Sequence, residues 1–282
     1  MNADSFFWIG KTHKVCEDYA LSGHVNDQPY AIVCDGCSSS PDTDFGARVL
    51  SKSAERAIQF ALLSSPEPSS VIKPFEIISL AQSNTEGWSP YCLDSTLLMA
   101  FVKDNNVYVR CYGDGVITFI NNENEITSFV IDYESGAPYY LNYLLDSKRK
   151  EIYLASTGSL RSGNLGYSLE KIPVSSKHAH VPIFGDYSIP SDHFCITAAI
   201  NDLKAVLLTS DGLSSFTELS IGETSKIQEQ ISLEEVAREL FAFKNYNGVF
   251  IQRRVQRFIQ DITERHWQNN DDVSIAGIYL GN

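Results

Sequence analysis

The stretch Tyr30-Ala-Ile-Val-Cys-Asp35-Gly36 is a short apolar run that ends on an acid and a glycine. Its length and bulk suit a buried strand, and Asp-Gly is turn chemistry, so a carboxylate stands where the strand stops. The same ending recurs at Val107-Tyr-Val-Arg-Cys-Tyr-Gly-Asp114-Gly115 and at Ala205-Val-Leu-Leu-Thr-Ser-Asp211-Gly212. A fourth stretch reverses the order, with Asn270-Asp271-Asp272 preceding the apolar run Val273-Ser-Ile-Ala-Gly-Ile-Tyr-Leu280, and Glu17-Asp18 forms a further acidic pair beside a strand. Antiparallel neighbours bring these acids to one edge. Carboxylates gathered there repel one another unless something positive lies between them, and a divalent metal is the usual answer. Any single Asp-Gly is an ordinary turn dipeptide; the order and context of the set carry the metal reading.

Around these strand ends the chain alternates strands with a few helices. The N-terminal half reads strand, strand, long helix, helix, strand, strand. A loop of small and acidic residues, Ser38 to Asp44, supplies helix-capping side chains, and Phe45 to Leu62 repeats apolar residues every three or four positions, which predicts an amphipathic helix. A second helix is expected from Pro74 to about Thr85. Ser95–Val102 then pairs with Asn106–Tyr112 across Lys103-Asp104-Asn105. Further helices are predicted over Leu233–Phe243 and Phe250–Trp267, and Arg253, Arg254, Arg257 and Arg265 on the latter read as a solvated face. Residues 131–193 show no helical period and read as irregular strands and a mobile loop. Short connections favour antiparallel hairpins over a doubly wound parallel sheet, so the fold class is α+β, a sheet core covered by helices on its outer faces. No linker or repeat divides residues 1–282, which are read as a single domain.

Composition narrows the function. Of 282 residues, 43% are hydrophobic, enough for a substantial core. A formal charge of -13 argues against nucleic acid and anionic membrane as partners. The start lacks the basic and apolar regions of a signal peptide, and a cytoplasmic location is expected. Six cysteines are thinly spread, as buried thiols in a reducing compartment would be. Cys34-Asp-Gly-Cys37 satisfies C-x-x-C, but without a second ligand pair at zinc spacing Cys34 is read as core.

With Glu17-Asp18, Asp35-Gly36, Ser95-Thr96 leading to Gly113-Asp114-Gly115, Ser210-Asp211-Gly212-Leu213 and Asp271-Asp272-Val273-Ser274 in that order, the chain resembles the metal-dependent protein phosphatases of the PPM, or type 2C, family, in a divergent microbial branch. The resemblance covers almost the whole chain. It implies a four-layer α/β/β/α sandwich with two central antiparallel sheets flanked by helices. It also implies a metal-dependent serine/threonine protein phosphatase that uses two Mn²⁺ or Mg²⁺ ions, acts as a monomer and takes phosphoserine or phosphothreonine proteins as substrate. Carried over residue by residue, Asp35 bridges the two ions, Glu17 and the Gly36 carbonyl bind one, Asp211 and Asp271 bind the other, and Asp114 serves a third. Asp18 orients water. His13 stands where many members carry a phosphate-gripping Arg, and as a histidine it does so less strongly. Cys37 replaces a His that elsewhere follows Asp-Gly, and Asp272 replaces a commoner Asn, with Asp271 taken as the ligand. The family implies a flap beside the site at about residues 131–193, where Arg161 and Lys171 could meet substrate.

Other constellations are weaker. Ser210 and Ser214 border Asp211 without a Gly-x-Ser-x-Gly elbow, which argues against a serine triad. His178-Ala-His180 could present two imidazoles on one strand face, but a loop role is the plainer one. Two alternatives to a protein phosphatase stay open: a non-catalytic binding or regulatory module of the same fold, for which His13 and Cys37 speak, and a hydrolase of small phosphate esters.

Overall fold

A computed structural model describes residues 1–64, 72–133, 135–157, 167–174, 186–188, 193–221 and 226–281. The strands are β1 (Asn2–Trp8), β2 (Tyr19–Val25), β3 (Gln28–Cys34), β4 (Leu97–Lys103), β5 (Asn106–Tyr112), β6 (Gly115–Asn121), β7 (Ile126–Tyr133), β8 (Tyr167–Pro173), β9 (Asp186–Ser188), β10 (Phe194–Ala199), β11 (Leu203–Thr209), β12 (Phe216–Ile221), β13 (Lys226–Gln230), β14 (Trp267–Asn269) and β15 (Val273–Tyr279). The helices are α1 (Thr43–Leu63), α2 (Pro74–Asn84), α3 (Ser147–Ser156), α4 (Leu233–Leu240) and α5 (Phe250–Glu264).

Local turn chemistry sets the hairpins. Asn26 and Asp27 hold φ of 47° and 64° between β2 and β3, and Asp104 and Asn105 hold 49° and 60° between β4 and β5. Paired positive φ is what a two-residue type I′ hairpin turn requires, and Asn and Asp tolerate it best after glycine. The strands assemble into a first sheet in the order β1-β15-β11-β6-β7-β8, a second in the order β2-β3-β4-β5-β10-β9, and a small third sheet, β13-β12-β14. Every pairing among these strands is antiparallel.

Both large sheets are covered on both faces, which explains why β4 is apolar along nearly its whole length instead of alternating. Leu98, Ala100 and Val102 point between the sheets, toward Phe119, Val206, Leu208 and Ile278 of the other sheet. Leu97, Met99 and Phe101 point outward, into an apolar layer with Leu50 and Ile58 of α1 and Ile78 of α2. On the far side, Ala205, Leu207 and Ile275 meet Val236 and Leu240 of α4 and Val255 and Phe258 of α5. The order is therefore helix, sheet, sheet, helix, the four-layer sandwich expected from the resemblance.

Several expectations need correction. Three strands, not two, precede α1. The last helix stops at Glu264, because His266 takes φ 59° and Trp267 turns inward to open β14. Residues 131–193 are more regular than expected: β7 pairs with β8, and α3 lies between them. Helix α3 escapes a periodicity search because Tyr153 is its one buried residue, leaving no apolar stripe, although Asp146 caps it by accepting from the Lys148 and Arg149 amides at 3.0 Å. The predicted mobile loop falls mostly on 158–166, outside the described residues, as do Arg161, His178 and His180. Among the described residues no helix is long and apolar enough to cross a membrane.

Candidate active site

The antiparallel registers collect the acids at one end of the sandwich. Tyr19 opposite Cys34 puts Glu17-Asp18, entering β2, beside Asp35-Gly36, leaving β3, and the Gly36 amide donates to the Glu17 carbonyl at 3.2 Å. In the other sheet Val116 lies opposite Thr209, so Asp114 and Asp211 are neighbours, and Thr209 opposite Ile275 brings Asp271-Asp272 alongside. The two sheets are stitched together here by Ser210, whose Oγ donates to Asp18 Oδ2 at 2.7 Å and accepts from the Ser274 amide at 3.0 Å. Ser210 is fully buried. It is thus a strut for Asp18, a role that a search for nucleophiles does not reveal.

Glycine is required at two of these turns by close approach, not by backbone angle. A Cβ at Gly36 would lie 2.8 Å from Thr43 Cβ and 2.9 Å from the Glu17 carbonyl oxygen. One at Gly212 would lie 1.7 Å from the Asp272 carbonyl oxygen. The Asp-Gly pairs therefore serve packing of the acidic loops against one another, beyond turning the chain.

Negative charge accumulates at this end of the sandwich. Burial raises the Asp35 carboxyl well above the usual range, and the charges of Asp18, Asp211 and Asp114 add to it. Burial likewise pushes Asp18 up to about 7, against the Ser210 hydrogen bond and with Asp272 and Asp211 adding. Asp114 is pushed up to about 8 by burial and then by Asp211. Asp271 is raised by burial and by Asp211. Glu17 accepts from Thr43 Oγ1 at 3.0 Å, at the start of α1. Asp35 is held by its backbone, the amide donating to Thr96 Oγ1 at 3.1 Å and the carbonyl accepting from the Thr96 amide at 2.8 Å.

The two consecutive aspartates divide their work. Asp272 is buried, and its two oxygens accept from the Gly10 amide at 2.7 Å and the Glu17 amide at 2.6 Å, tying the N-terminal loop to β15. Asp271 is 47% exposed and interacts with Asp211. His13 sits between them, Nε2 at 3.2 Å from Asp271 Oδ1 and Nδ1 at 3.1 Å from Asp272 Oδ2. Burial opposes charge on His13, but Asp272, Asp271 and Glu17 outweigh it and raise its pKa. Both imidazole nitrogens face carboxylates, Nε2 toward Asp271 and Nδ1 toward Asp272, and Nδ1 makes no hydrogen bond among the described residues. His13, Glu17 and Asp272 also bring one nitrogen and two oxygens within 4.8 Å of one another.

A divalent cation fits this set. Apart from the His13 nitrogen the donors are hard oxygens, Asp18, Asp35, Asp114 and Asp211 repel one another, and Asp18 Oδ1, on a residue 1% exposed, has no hydrogen-bond partner among the described residues. Neighbouring residues missed by sequence reading brace the loop after β3. Asp94 accepts from Ser40 Oγ (2.9 Å), Asn142 Nδ2 (2.7 Å) and Arg149 (2.8 Å), and its carbonyl accepts from the Cys37 amide at 2.9 Å. The Cys37 thiol lies 3.1 Å from Ser39 Oγ; burial raises its pKa, but hydrogen bonds to Ser39 and Tyr140 prevail and lower it. Cys34 is a free, buried core thiol. Lys171 lies on β8, with its ammonium 5.8 Å from the Phe129 ring centre.

Comparison with known proteins agrees with this architecture. No curated protein sequence matches the chain. A bacterial serine phosphatase superposes with a TM-score of 0.58 at 14% identity, covering 100% of this chain and 98% of its own. The serine/threonine phosphatase Stp1 from Staphylococcus aureus gives 0.54 at 15% identity, covering 99% of this chain and 95% of its own. These likenesses concern the fold. The sequence profile described as Protein phosphatase 2C matches residues 10–245, and on that match the chain belongs to the protein phosphatase 2C family.

Proposed function

We propose that this chain is a Mn²⁺- or Mg²⁺-dependent phosphatase acting on phosphoserine or phosphothreonine in proteins. The observation that carries the reading is the gathering of Asp18, Asp35, Asp114, Asp211 and Asp271 at one end of the sandwich, most of them with raised pKa, together with an Asp18 Oδ1 that has no hydrogen-bond partner among the described residues. The reading assigns Glu17, Asp35 and the Gly36 carbonyl to one ion, Asp35, Asp211 and Asp271 to a second, and Asp114 to a weaker third. Such a pair, when bound, offsets the carboxylates, draws phosphate oxygens and makes a water more acidic. Asp18, anchored through Oδ2 to Ser210, has Oδ1 available to orient the attacking water and take its proton. In the overall reaction water oxygen bonds to phosphorus, the ester P–O bond breaks, and the alcohol leaves with a proton. His13 is read as the residue that positions Asp271, in place of the phosphate grip that the family resemblance implied.

Hydrolysis of p-nitrophenyl phosphate with added Mn²⁺, in the wild type and in Asp211→Asn, tests the reaction. Comparison of phosphopeptides with sugar phosphates tests the substrate class. Inactivity across metals and pH, or full activity of the variant, counts against the proposal. A second reading, a binding module of the same fold without catalysis, is favoured by the placement of His13 between the Asp271 and Asp272 carboxylates; absence of both tight divalent binding by calorimetry and turnover would select it. The proposal includes a monomer in the cytoplasm, where six free thiols are at home.

A further inference from the structure

The arginines of α5 do not behave as a plain solvated face. Arg253, Arg254 and Arg257 line a cavity of about 90 Å³ together with Lys244 and Asn245 from the loop that follows α4. Four cations around one small cavity are out of keeping with a chain whose formal charge is -13. Their charge is only partly answered. Arg253 donates to Asn245 Oδ1 at 2.8 Å and to the Asn247 carbonyl at 2.6 Å, both neutral acceptors. Arg254, with a side chain 10% exposed, donates to the Glu239 carbonyl at the end of α4 and stands 3.6 Å from Asp261, an acid that is itself 45% exposed. Arg257 and Lys244 make no hydrogen bond or ion pair among the described residues. Burial works against the Arg254 charge and prevails over Asp261 and Glu239, which favour it, while the neighbouring Arg257 opposes it less strongly. Like charges held this close are costly unless an anion lies among them.

We infer that this cavity is a binding site for a tetrahedral oxyanion of the phosphate class, separate from the acidic end of the sandwich. Its volume is several times the roughly 10–15 Å³ that one water needs, which suits a single phosphate group. Arginine fits such a group because its planar fork donates paired hydrogen bonds to two oxygens, and the ammonium of Lys244 adds a point charge. The separation follows from topology. Asn2, at the start of β1, donates to the Tyr246 and Gly248 carbonyls, which places the 244–250 loop by that strand end. Trp8, at the other end of β1, lies opposite Val273 and the acidic turn. A seven-residue strand spans about 20 Å. The phosphate could arrive free or as a monoester on a peptide.

The test is calorimetric titration of the full chain, freed of divalent ions with EDTA so that the acidic end attracts no anion. The probes are inorganic phosphate, a phosphoserine peptide and its unphosphorylated counterpart. Saturable phosphate binding that weakens at least tenfold in Lys244→Gln/Arg257→Gln, and that survives in Asp35→Asn, is expected. Both substituted residues are exposed, and an unchanged melting temperature verifies the fold. Equal affinity for free and peptide phosphate means that the group alone is recognised, and tighter peptide binding means that the monoester is the ligand; both uphold the site. No binding by the wild type, undiminished binding by the double variant, or equal binding of the unphosphorylated peptide overturns it. Hydrolysis of p-nitrophenyl phosphate by the double variant is expected to match the wild type, so failure here and failure of the phosphatase reading are distinguishable.

Discussion

Asp271 and Asp272 are adjacent, yet substitutions there should be read out by different measurements. Asp272 is buried and accepts two backbone amides, so Asp272→Ala orphans both and should cost about 2–4 kcal/mol of stability in urea unfolding. Asp271 is half exposed and bonded to no backbone amide but its own neighbour's, so Asp271→Asn should leave stability nearly unchanged and lower kcat/KM for p-nitrophenyl phosphate by about 100-fold or more, a loss of ~3 kcal/mol in transition-state binding. The reverse outcome, with Asp272 tolerant of substitution and Asp271 essential for folding, would exchange their roles. Strand periodicity cannot make this distinction. Sequence order alone selects Asp271 only through family resemblance, whereas the loop packing that occupies Asp272 depends on Gly10 and Glu17, more than 250 positions away. The acids at strand ends are legible because turn chemistry and apolar runs are local signals. Ser210 as the strut of Asp18 is not, since its partner lies on another sheet.

Among the elements, α5 shows how a distant residue can finish a helix. Its preceding residue, Val249, provides no side-chain cap, and the Gln252 amide instead donates to Asp4 Oδ2 on β1 at 3.0 Å. Asp4→Ala should therefore cost about 1–2 kcal/mol, the usual worth of a cap. Burial raises the Asp4 pKa above its ordinary 3.8, more than its hydrogen bonds to the α5 amides lower it. A carboxyl raised in the fold contributes stability that is complete below 3.8 and is lost as pH rises through the folded value. Asp4→Asn should remove that decline, measurable as a smaller stability difference between about pH 4 and about pH 7 than in the wild type; an unaltered pH dependence would rule the account out. The brace at Asp94 is a second case. It pairs with Arg149 of α3 and accepts from Ser40 and Asn142, and Asp94→Ala should cost about 2–4 kcal/mol in urea unfolding because a guanidinium and two further donors lose their acceptor. Helices α1 and α2 are legible from their apolar periodicity and from Pro74, but α3 is held by Asp146, Arg149 and Tyr153 and has no stripe to read.

At the scale of the whole molecule, stacking two sheets face to face gives a well-packed core but crowds the strand-end loops of both sheets at one rim. The acids there come from both sheets, so their repulsion opposes the very stacking that the apolar core drives. In the metal-free protein this repulsion is a standing destabilisation, and burial compounds it. A cation bound at the rim would act on the folded state alone, since the unfolded chain scatters the ligands. Mn²⁺ at a hundredfold excess over its Kd should then add about 2.7 kcal/mol of stability. For a chain of this size that corresponds to roughly 5–10 °C in Tm. Asp35→Asn separates charge relief from mere metal affinity. Removing one buried carboxylate should raise the Tm of the EDTA-treated protein while abolishing most of the rise on adding Mn²⁺, both followed by circular dichroism. A metal-free variant that melts lower than the wild type would mean that Asp35 is held by contacts worth more than its repulsion, and a full Mn²⁺ response in that variant would remove Asp35 from the ligand set.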